Sequence, residues 1–424
     1  MKNLLQFFGA IFIPQVFALM TLILLTRKLS LNDYASIAIL EALLMLITPL
    51  ISLGIDRAAA KYSTTLNLQL VHEVGNGIIA TSCIALFFPY LSIYFLLDLG
   101  GVFKIDFFDY IAIFIISYSY NLITLLQVKN QFSGELQSYL IAGVIKTFLP
   151  MVFISIGVLI LNLGVKSFIY GMLAGSILLI FYSNSKGSLA IGFWKKDWDL
   201  GRSMISYGLP LIPAFISAWI ISWSNRFFLS LYVDQEELGV YSAVYKYSML
   251  FFLFVQAANL YLTPFIYRIL EEKKYKKVEH YLIISVFLFL FAAFGFTILI
   301  ALFLPYFGVQ SDIEIIIGVG IINYMSGIAG ITTQLLLLFY KKTKELMYGS
   351  VFYAAMSLIF YWLLIPQLQI YGLLFSNLIC IAISNLVFLK LINGDIILSK
   401  FNFLYYVLNF LVIFICIALF IVYF

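Results

Sequence analysis

Long runs of apolar residues, separated by short polar segments, recur along the whole chain. Each run is long enough to cross the ~30 Å hydrocarbon core of a bilayer as an α-helix. The pattern predicts an all-α, polytopic membrane protein with thirteen spans, at residues 7–26, 34–55, 74–97, 109–128, 139–161, 166–182, 205–228, 239–263, 281–304, 313–338, 346–365, 370–389 and 403–424.

The composition supports a lipid-facing surface and excludes a soluble protein. Of the 424 residues, 63% are hydrophobic and only 11% are charged, whereas soluble domains are about one quarter charged. The three cysteines all lie in apolar runs, so they are interpreted as buried hydrophobes. Neither a metal site, a cofactor nor a nucleic-acid partner is predicted.

The basic residues predict the orientation of the spans. With Met1 in the cytoplasm, 18 of the 25 lysines and arginines fall in cytoplasmic segments and five fall outside. Lys146 and Lys246 lie within spans. Such an excess of cytoplasmic basic residues is typical of multi-pass membrane proteins.

The two halves of the chain resemble each other weakly. Residues 8–14 and 207–213 share a Gly and a Pro at equivalent places, and Arg27 and Arg226 follow at the same offset of 199 residues. Chance similarity between apolar segments is the alternative. A parallel repeat predicts two six-helix bundles, and the predicted segments are bundle 1–184, linker 185–204, bundle 205–391 and an additional helix at 402–424.

Charged residues within the spans or at their ends are the candidate functional residues, because a charge in the bilayer interior is costly. Four of them are basic and suggest a hydrated, cationic passage: Lys246, Arg226, Arg27 and Lys146. Glu41 is the candidate for ion coupling, with an internal salt bridge as the alternative. Hydrogen bonding between helices and snorkelling to lipid headgroups are the structural alternatives for the basic residues.

Polar residues also follow helical periodicity in three spans, which predicts helix faces turned away from lipid. One stripe accompanies Lys246, and the other two lie in spans four and ten. Their members are Ser242, Gln256, Asn259 and Thr263; Ser117, Asn121, Thr124 and Gln127; and Asn323, Ser326, Gly330, Thr333 and Gln334.

The stretch 204–249 carries the most specific resemblance. Residues 207–213, then Asn225-Arg226, residues 237–243 and Tyr245-Lys246 resemble the middle region of Wzx-type O-antigen and polysaccharide flippases, in the MATE-like MOP superfamily. Weaker similarity extends over residues 5–390. The resemblance implies two bundles around a V-shaped cavity and a substrate built on undecaprenyl pyrophosphate. Family members commonly have twelve or fourteen spans, and the thirteen predicted here depart from that.

The function predicted from these features is a flippase and not an enzyme. It would move undecaprenyl-pyrophosphate-linked repeat units across the bacterial inner membrane by alternating access. Membrane lipid is an expected partner, and so are the polymerase and chain-length regulator of the same pathway. A MATE-type drug or cation antiporter is the first alternative, although cationic drugs favour acidic cavities. An O-antigen polymerase is the second, although no large external loop is predicted.

Overall fold

The computed structural model describes residues 2–96, 98–103, 105–185, 197–340, 342–392 and 401–412. These residues are 88% helical, and no strand occurs among them. Ten of their helices are long and apolar enough to cross a membrane, which confirms an all-α, multi-pass membrane protein. The chain forms two compact units, Met1–Trp219 and Ile220–Phe424. The bundle boundaries derived from the repeat stay a prediction.

The first unit contains the helices from the start of the chain to residue 219. They are α1 (Lys2–Lys28), α2 (Leu31–Ser52), α3 (Ile55–Tyr62), α4 (Leu68–Leu96), α5 (Leu99–Val102), α6 (Phe107–Phe132), α7 (Leu136–Leu159), α8 (Lys166–Ser185), α9 (Trp198–Gly208) and most of α10 (Ile212–Ser222).

The second unit continues from the end of α10. Its helices are α11 (Asn225–Leu229), α12 (Gln235–Ser248), α13 (Phe251–Glu271), α14 (Tyr275–Phe303), α15 (Ile313–Ile331), α16 (Thr333–Phe339), α17 (Thr343–Ile392) and α18 (Phe401–Val412).

Helices α2 and α12 begin in the same way. The Ser30 hydroxyl accepts a hydrogen bond from the Asp33 backbone N–H at 3.1 Å, and the Asp234 carboxylate accepts one from the Glu237 N–H at 2.8 Å. Both side chains therefore cap a helix N-terminus with the same three-residue spacing. Asp33 and Glu237 lie at equivalent places in the predicted repeat, so the local geometry is in line with it.

Several spans predicted as continuous helices are broken. Span seven is interrupted between α10 and α11, span eight between α12 and α13, and span ten between α15 and α16. Hydroxyl side chains bond to backbone carbonyls beside these breaks: Ser224 donates to the Ile220 oxygen at 2.7 Å and Thr332 to the Ile328 oxygen at 2.6 Å. Such bonds make a broken helix tolerable where water is scarce.

Helix α17 is a helical hairpin and not one span. Its 50 residues would extend about 75 Å as a straight helix, more than twice the hydrocarbon core. The chain turns at Gln369, which has a φ of 52°. The Tyr361 hydroxyl then donates to the Asn377 side-chain oxygen at 2.6 Å, across the two antiparallel arms. The arms confirm the two spans predicted at 346–365 and 370–389.

Glycines let α7 and α8 pack backbone to backbone. A Cβ atom built on Gly175 would lie 2.8 Å from the Pro150 backbone nitrogen, and one on Gly157 would lie 3.1 Å from the Ser167 Cα. Gly171 approaches the backbone of Ile154 as closely. Small residues at helix contacts are a common means of association in membranes, where apolar surface gains little from burial against another helix.

The additional C-terminal helix packs into the second unit. Phe401 and Tyr405 of α18 are buried in an apolar cluster formed with α13–α17. The Glu279 carboxylate of α14 also accepts a hydrogen bond from the Phe401 backbone N–H at 3.1 Å. The observed helix covers the start of the span predicted at 402–424, and residues 413–424 lie outside the described part.

The predicted linker 185–204 contains a helix at its C-terminal end. Helix α9 begins at Trp198, where the Asp197 carboxylate accepts a hydrogen bond from the Leu200 N–H at 2.9 Å. Its residues Leu200 and Met204 are buried, one turn apart. This part of the segment is therefore a packed, amphipathic helix, whereas the sequence predicted only a linker there. Residues 186–196 of the linker lie outside the described part.

Thirteen spans and a cytoplasmic Met1 predict that the C-terminus lies outside. Alkaline phosphatase fused after Phe424 should therefore be active, because the enzyme needs the oxidising side, and the same enzyme fused after Lys342 should be inactive. Cell-associated phosphatase activity, normalised to fusion abundance, is the measurement. An inactive C-terminal fusion would mean that twelve or fourteen spans are present.

Candidate functional site

Arg226 lies at the break between α10 and α11. It is 2% exposed. One guanidinium nitrogen, Nη1, donates to the Ser222 carbonyl oxygen at 3.0 Å and to the Asn225 side-chain oxygen at 3.3 Å. Ser222 is the last residue of α10, so the guanidinium caps the negative end of that helix.

Two aromatic rings hold the guanidinium. Its central carbon lies 4.6 Å from the Trp223 ring centroid and 5.0 Å from that of Tyr245 on α12. The Asn225 amide also donates to the buried Tyr241 hydroxyl at 3.1 Å. Trp223, Asn225, Arg226, Tyr241 and Tyr245 are named the Arg226 cluster. Cation–π contacts of this kind are strongest where water is excluded.

The Arg226 cluster has no carboxylate. None of the ion pairs among the described residues includes Arg226, and its contacts are with carbonyl, amide and aromatic groups. Neutral partners offset only part of the cost of burying a charge. The burial also contradicts the alternative that this arginine snorkels to the headgroups.

Lys246 follows Tyr245 in the last turn of α12 and is partly buried. Two polar residues of the predicted stripes, Ser242 on α12 and Asn323 on α15, are 2% and 3% exposed. Neither the Ser242 hydroxyl nor the Asn323 amide nitrogen has a hydrogen-bond partner among the described residues. The second unit therefore contains two basic residues and buried polar groups without hydrogen-bond partners along α11, α12 and α15.

Lys146 is the basic candidate within a long helix of the first unit. It lies in the middle of α7, where its Nζ donates to the Thr124 hydroxyl at 3.0 Å. The same nitrogen lies 4.9 Å from the centroid of the Tyr120 ring, one turn earlier on α6. Neither of these contacts is with a carboxylate. A lysine ammonium has three donors, and the described structure gives it a single acceptor.

Glu41 lies on α2, and Tyr120 lies on α6, where its hydroxyl donates to the Met172 sulfur at 3.6 Å. Deeper along the same two helices, the Thr48 hydroxyl donates to that of Ser117 at 3.2 Å and the Asn121 amide donates to the Thr48 carbonyl at 2.9 Å. A polar seam therefore joins α2 to α6.

The structure places the remaining candidate, Arg27, in an exposed position at the C-terminal end of α1. Arg226 and Arg27 are equivalent in the predicted repeat, but their surroundings differ strongly. Of the aromatic partners of Arg226 and Lys146, Tyr245 is one of the residues that carry the resemblance, whereas Trp223 and Tyr120 were not singled out from the sequence. For Tyr120 the available signal was spacing, because it precedes Thr124 by four residues and shares a face of α6 with it.

Comparison with solved structures defines the fold class. The chain is similar to an inward-facing multidrug resistance MATE family transporter of the MOP superfamily, with a TM-score of 0.70, 13% identity and coverage of 94% of this chain and 99% of that one. It is equally similar to the lipid II flippase MurJ in an inward closed conformation, with a TM-score of 0.70, 14% identity and 97% coverage of both chains. The chain therefore has the fold that these two proteins share.

The family follows from the sequence comparisons. Residues 1–270 match the polysaccharide biosynthesis protein family, and the chain belongs to that family. A relative from Haloferax volcanii, described as the probable low-salt glycan biosynthesis flippase Agl15, is 21% identical over 118 residues. That match covers 28% of this chain and 25% of the relative.

Proposed function

We infer that this protein is a flippase for lipid-linked glycans. It moves undecaprenyl-pyrophosphate-linked O-antigen or other polysaccharide repeat units across the bacterial inner membrane by alternating access. The observation that carries the inference is the buried Arg226 guanidinium without a carboxylate, in a chain of the polysaccharide biosynthesis protein family. The flippase descriptions of Agl15 and MurJ agree with it.

The chemistry of such a substrate explains the basic residues. A pyrophosphate carries two or more negative charges and cannot cross hydrocarbon alone, because an unpaired charge is costly there. Arg226 and Lys246 would pair with the pyrophosphate or with acidic sugars, and Arg27 and Lys146 would assist. An arginine suits this task because its planar fork can donate two parallel hydrogen bonds to a phosphate.

Export against a gradient requires energy, and Glu41 is the proposed coupling residue. Coupling to protons or sodium would then act in the first unit. The polymerase and chain-length regulator of the pathway are the proposed partners after export.

The two alternatives fit the charges less well. A MATE-type antiporter for cationic drugs favours an acidic cavity, whereas neither Arg226 nor Lys146 makes an ion pair with any described carboxylate. An O-antigen polymerase is expected to carry catalytic residues on large external loops. The longest such segment in the predicted topology runs from residue 98 to 108, which is too short for a domain.

Deletion of the gene should abolish surface polysaccharide and cause lipid-linked single repeat units to accumulate inside. The reason is that repeat units are assembled in the cytoplasm and polymerised outside, so a missing flippase stops the pathway before polymerisation. Silver-stained gels of surface polysaccharide and mass spectrometry of extracted lipids are the measurements, with the plasmid-borne wild-type gene as control.

The phenotype of the deletion strain distinguishes a flippase from a polymerase and from a drug antiporter. Single repeat units displayed on lipid A would indicate a polymerase. Normal polysaccharide together with increased sensitivity to cationic drugs would indicate an antiporter. Either result would contradict a role in flipping.

A further inference from the structure

The connection between α13 and α14 carries a cluster of basic residues. Residues 268–277 contain five lysines and arginines and two glutamates, which gives a net charge of +3. All the basic residues among them are exposed: Arg268, Lys273, Lys274, Lys276 and Lys277. These five residues are named the basic turn. A surface with an excess of one charge sign attracts partners of the opposite sign, so the expected ligand is an anion.

The fold of the connection brings these charges together. The chain passes from α13 to α14 through Lys273, which has a φ of 55°. The Lys274 ammonium lies 2.6 Å from the Glu272 carboxylate. This hydrogen bond, together with the charges of Lys277 and Arg268, holds the pKa of Glu272 below its ordinary value. Cations from both helices therefore surround one carboxylate, which can neutralise only one of them.

The basic turn lies at the depth of the lipid headgroups. Lys277 precedes the span predicted at 281–304 by four residues, and Arg268 follows the span predicted at 239–263 by five. At 1.5 Å per residue, both positions are roughly 6 to 8 Å beyond the hydrocarbon core. The headgroup layer on each side of a bilayer is about 5 to 8 Å thick. The phosphate groups of the membrane are therefore the anions within reach of these side chains.

Neighbouring helix ends extend the basic surface. The Tyr267 hydroxyl of α13 donates to a carbonyl oxygen of α16 at 3.3 Å. The Lys342 ammonium, just before α17, donates to the Leu391 carbonyl oxygen near the end of α17 at 2.8 Å. These ends of α13, α16 and α17 therefore lie on the predicted cytoplasmic side of the second unit. They carry two further exposed lysines, Lys344 and Lys390.

The predicted external end of the same unit carries the opposite charge. A cavity of about 390 Å³ lies there, between the starts of α12 and α15 and the turn of α17. Four acidic residues line it: Asp234, Glu236, Glu237 and Asp312. Such a surface repels an anionic headgroup. Of the two ends, the one with the basic turn therefore suits an anionic lipid.

We propose that the basic turn is a binding surface for the headgroup phosphates of anionic phospholipids, such as phosphatidylglycerol, in the cytoplasmic leaflet. Each lysine or arginine close to the membrane surface adds to the attraction for such a lipid. A bound lipid stabilises the second unit, because a ligand that binds only the folded protein shifts the folding equilibrium. The proposal goes beyond the proposed function, since it does not depend on what the protein transports.

The first test measures lipid binding by the purified full-length protein. Native mass spectrometry in a neutral detergent gives the apparent affinities for phosphatidylglycerol and phosphatidylcholine with the same acyl chains. The wild type should prefer phosphatidylglycerol by roughly tenfold or more. The variant with Lys273→Gln, Lys276→Gln and Lys277→Gln should lose most of this preference. Arginine at the same three positions keeps every charge and should keep the preference.

The matched control removes three charges from the first unit. Its substitutions are Arg57→Gln, Lys61→Gln and Arg202→Gln, at exposed positions that are also predicted to be cytoplasmic. This variant has the same net charge as the glutamine variant of the basic turn and should keep most of the preference for phosphatidylglycerol. An equal loss in the two variants would overturn the proposal, because binding would then follow net charge and not this surface.

A competition experiment tests the choice of lipid. Farnesyl pyrophosphate has the charged group of a prenyl pyrophosphate carrier on a short chain. If it displaces phosphatidylglycerol from the wild type at a tenfold lower concentration, but not from the glutamine variant, the basic turn binds pyrophosphate lipids and the proposal is wrong. We expect phosphatidylglycerol to be displaced equally from both proteins or from neither.

The second test measures stability. Adding phosphatidylglycerol in place of phosphatidylcholine should raise the Tm of the wild type and of the arginine variant by about 2 to 4 °C. The increase should shrink in 0.5 M salt, because salt screens charges at the surface. A glutamine variant that is merely less stable will have a lower Tm in both lipids, whereas the proposal predicts a smaller difference between the lipids. An undiminished difference in that variant would contradict binding at the basic turn.

Discussion

Arg226→Lys should reduce polysaccharide export by roughly tenfold or more, although the positive charge is retained. A lysine has no planar group to lie against Trp223 and Tyr245, which flank the guanidinium at 4.6 and 5.0 Å. Its ammonium also cannot present the two parallel, coplanar donors with which a guanidinium binds a phosphate. The measurement is surface polysaccharide in the deletion strain, normalised to the abundance of the variant in the membrane.

Variants of the aromatic partners distinguish the effect of the Arg226 charge from the effect of the two rings that hold it in place. Tyr245→Phe keeps the ring and should retain most export, whereas Trp223→Leu removes a ring and should lower it. If Arg226 only stabilises the break after α10, Arg226→Ala will reduce protein abundance and export in equal proportion. Full export by an abundant Arg226→Ala protein would rule out pairing of this guanidinium with the substrate.

Lys146→Met should give the second large loss of export, with protein abundance near normal. Methionine preserves most of the length and the apolar character of the side chain, so the packing of α7 against α6 is largely retained. What disappears is a partly buried ammonium that has the Thr124 hydroxyl and the Tyr120 ring as its neighbours. We expect export to fall by roughly tenfold, the scale of losing one charged contact in a site with little water.

Thr124→Val is the matched control for Lys146. It removes the hydrogen bond between α6 and α7 but leaves the charge in place. If the lysine serves the substrate, Thr124→Val will export normally while Lys146→Met will not. If both variants lose export and abundance together, the lysine is an interhelical hydrogen-bonding group, which is the structural alternative that the sequence left open.

Much of the fold could be predicted from hydropathy, because lipid requires long apolar helices whatever their details. The two arms of the α17 hairpin could be predicted because two apolar runs are separated at Pro366. The helix breaks could not be predicted in the same way. A break between Trp223 and Ser224 or at Met249 changes no hydropathy average, and non-glycine residues with positive φ, such as Leu53, carry no reliable sequence signal.

The candidate site was predictable in its residue types but not in its surroundings. A charged residue in a span can be found by inspection, and Arg226, Lys146 and Lys246 were found so. Whether such a residue snorkels or is buried depends on tertiary packing, which differs between Arg226 and its repeat equivalent Arg27. The roles of all the basic candidates and of Glu41 stay predictions.

The glycine contacts between α7 and α8 have a mechanical consequence. At Gly157, Gly171 and Gly175 no layer of side chains separates the two backbones. A side chain at any of the three positions would meet the backbone of the other helix, so α7 and α8 can approach this closely only while all three residues are glycines. A larger residue at one of them would have to push the two helices apart.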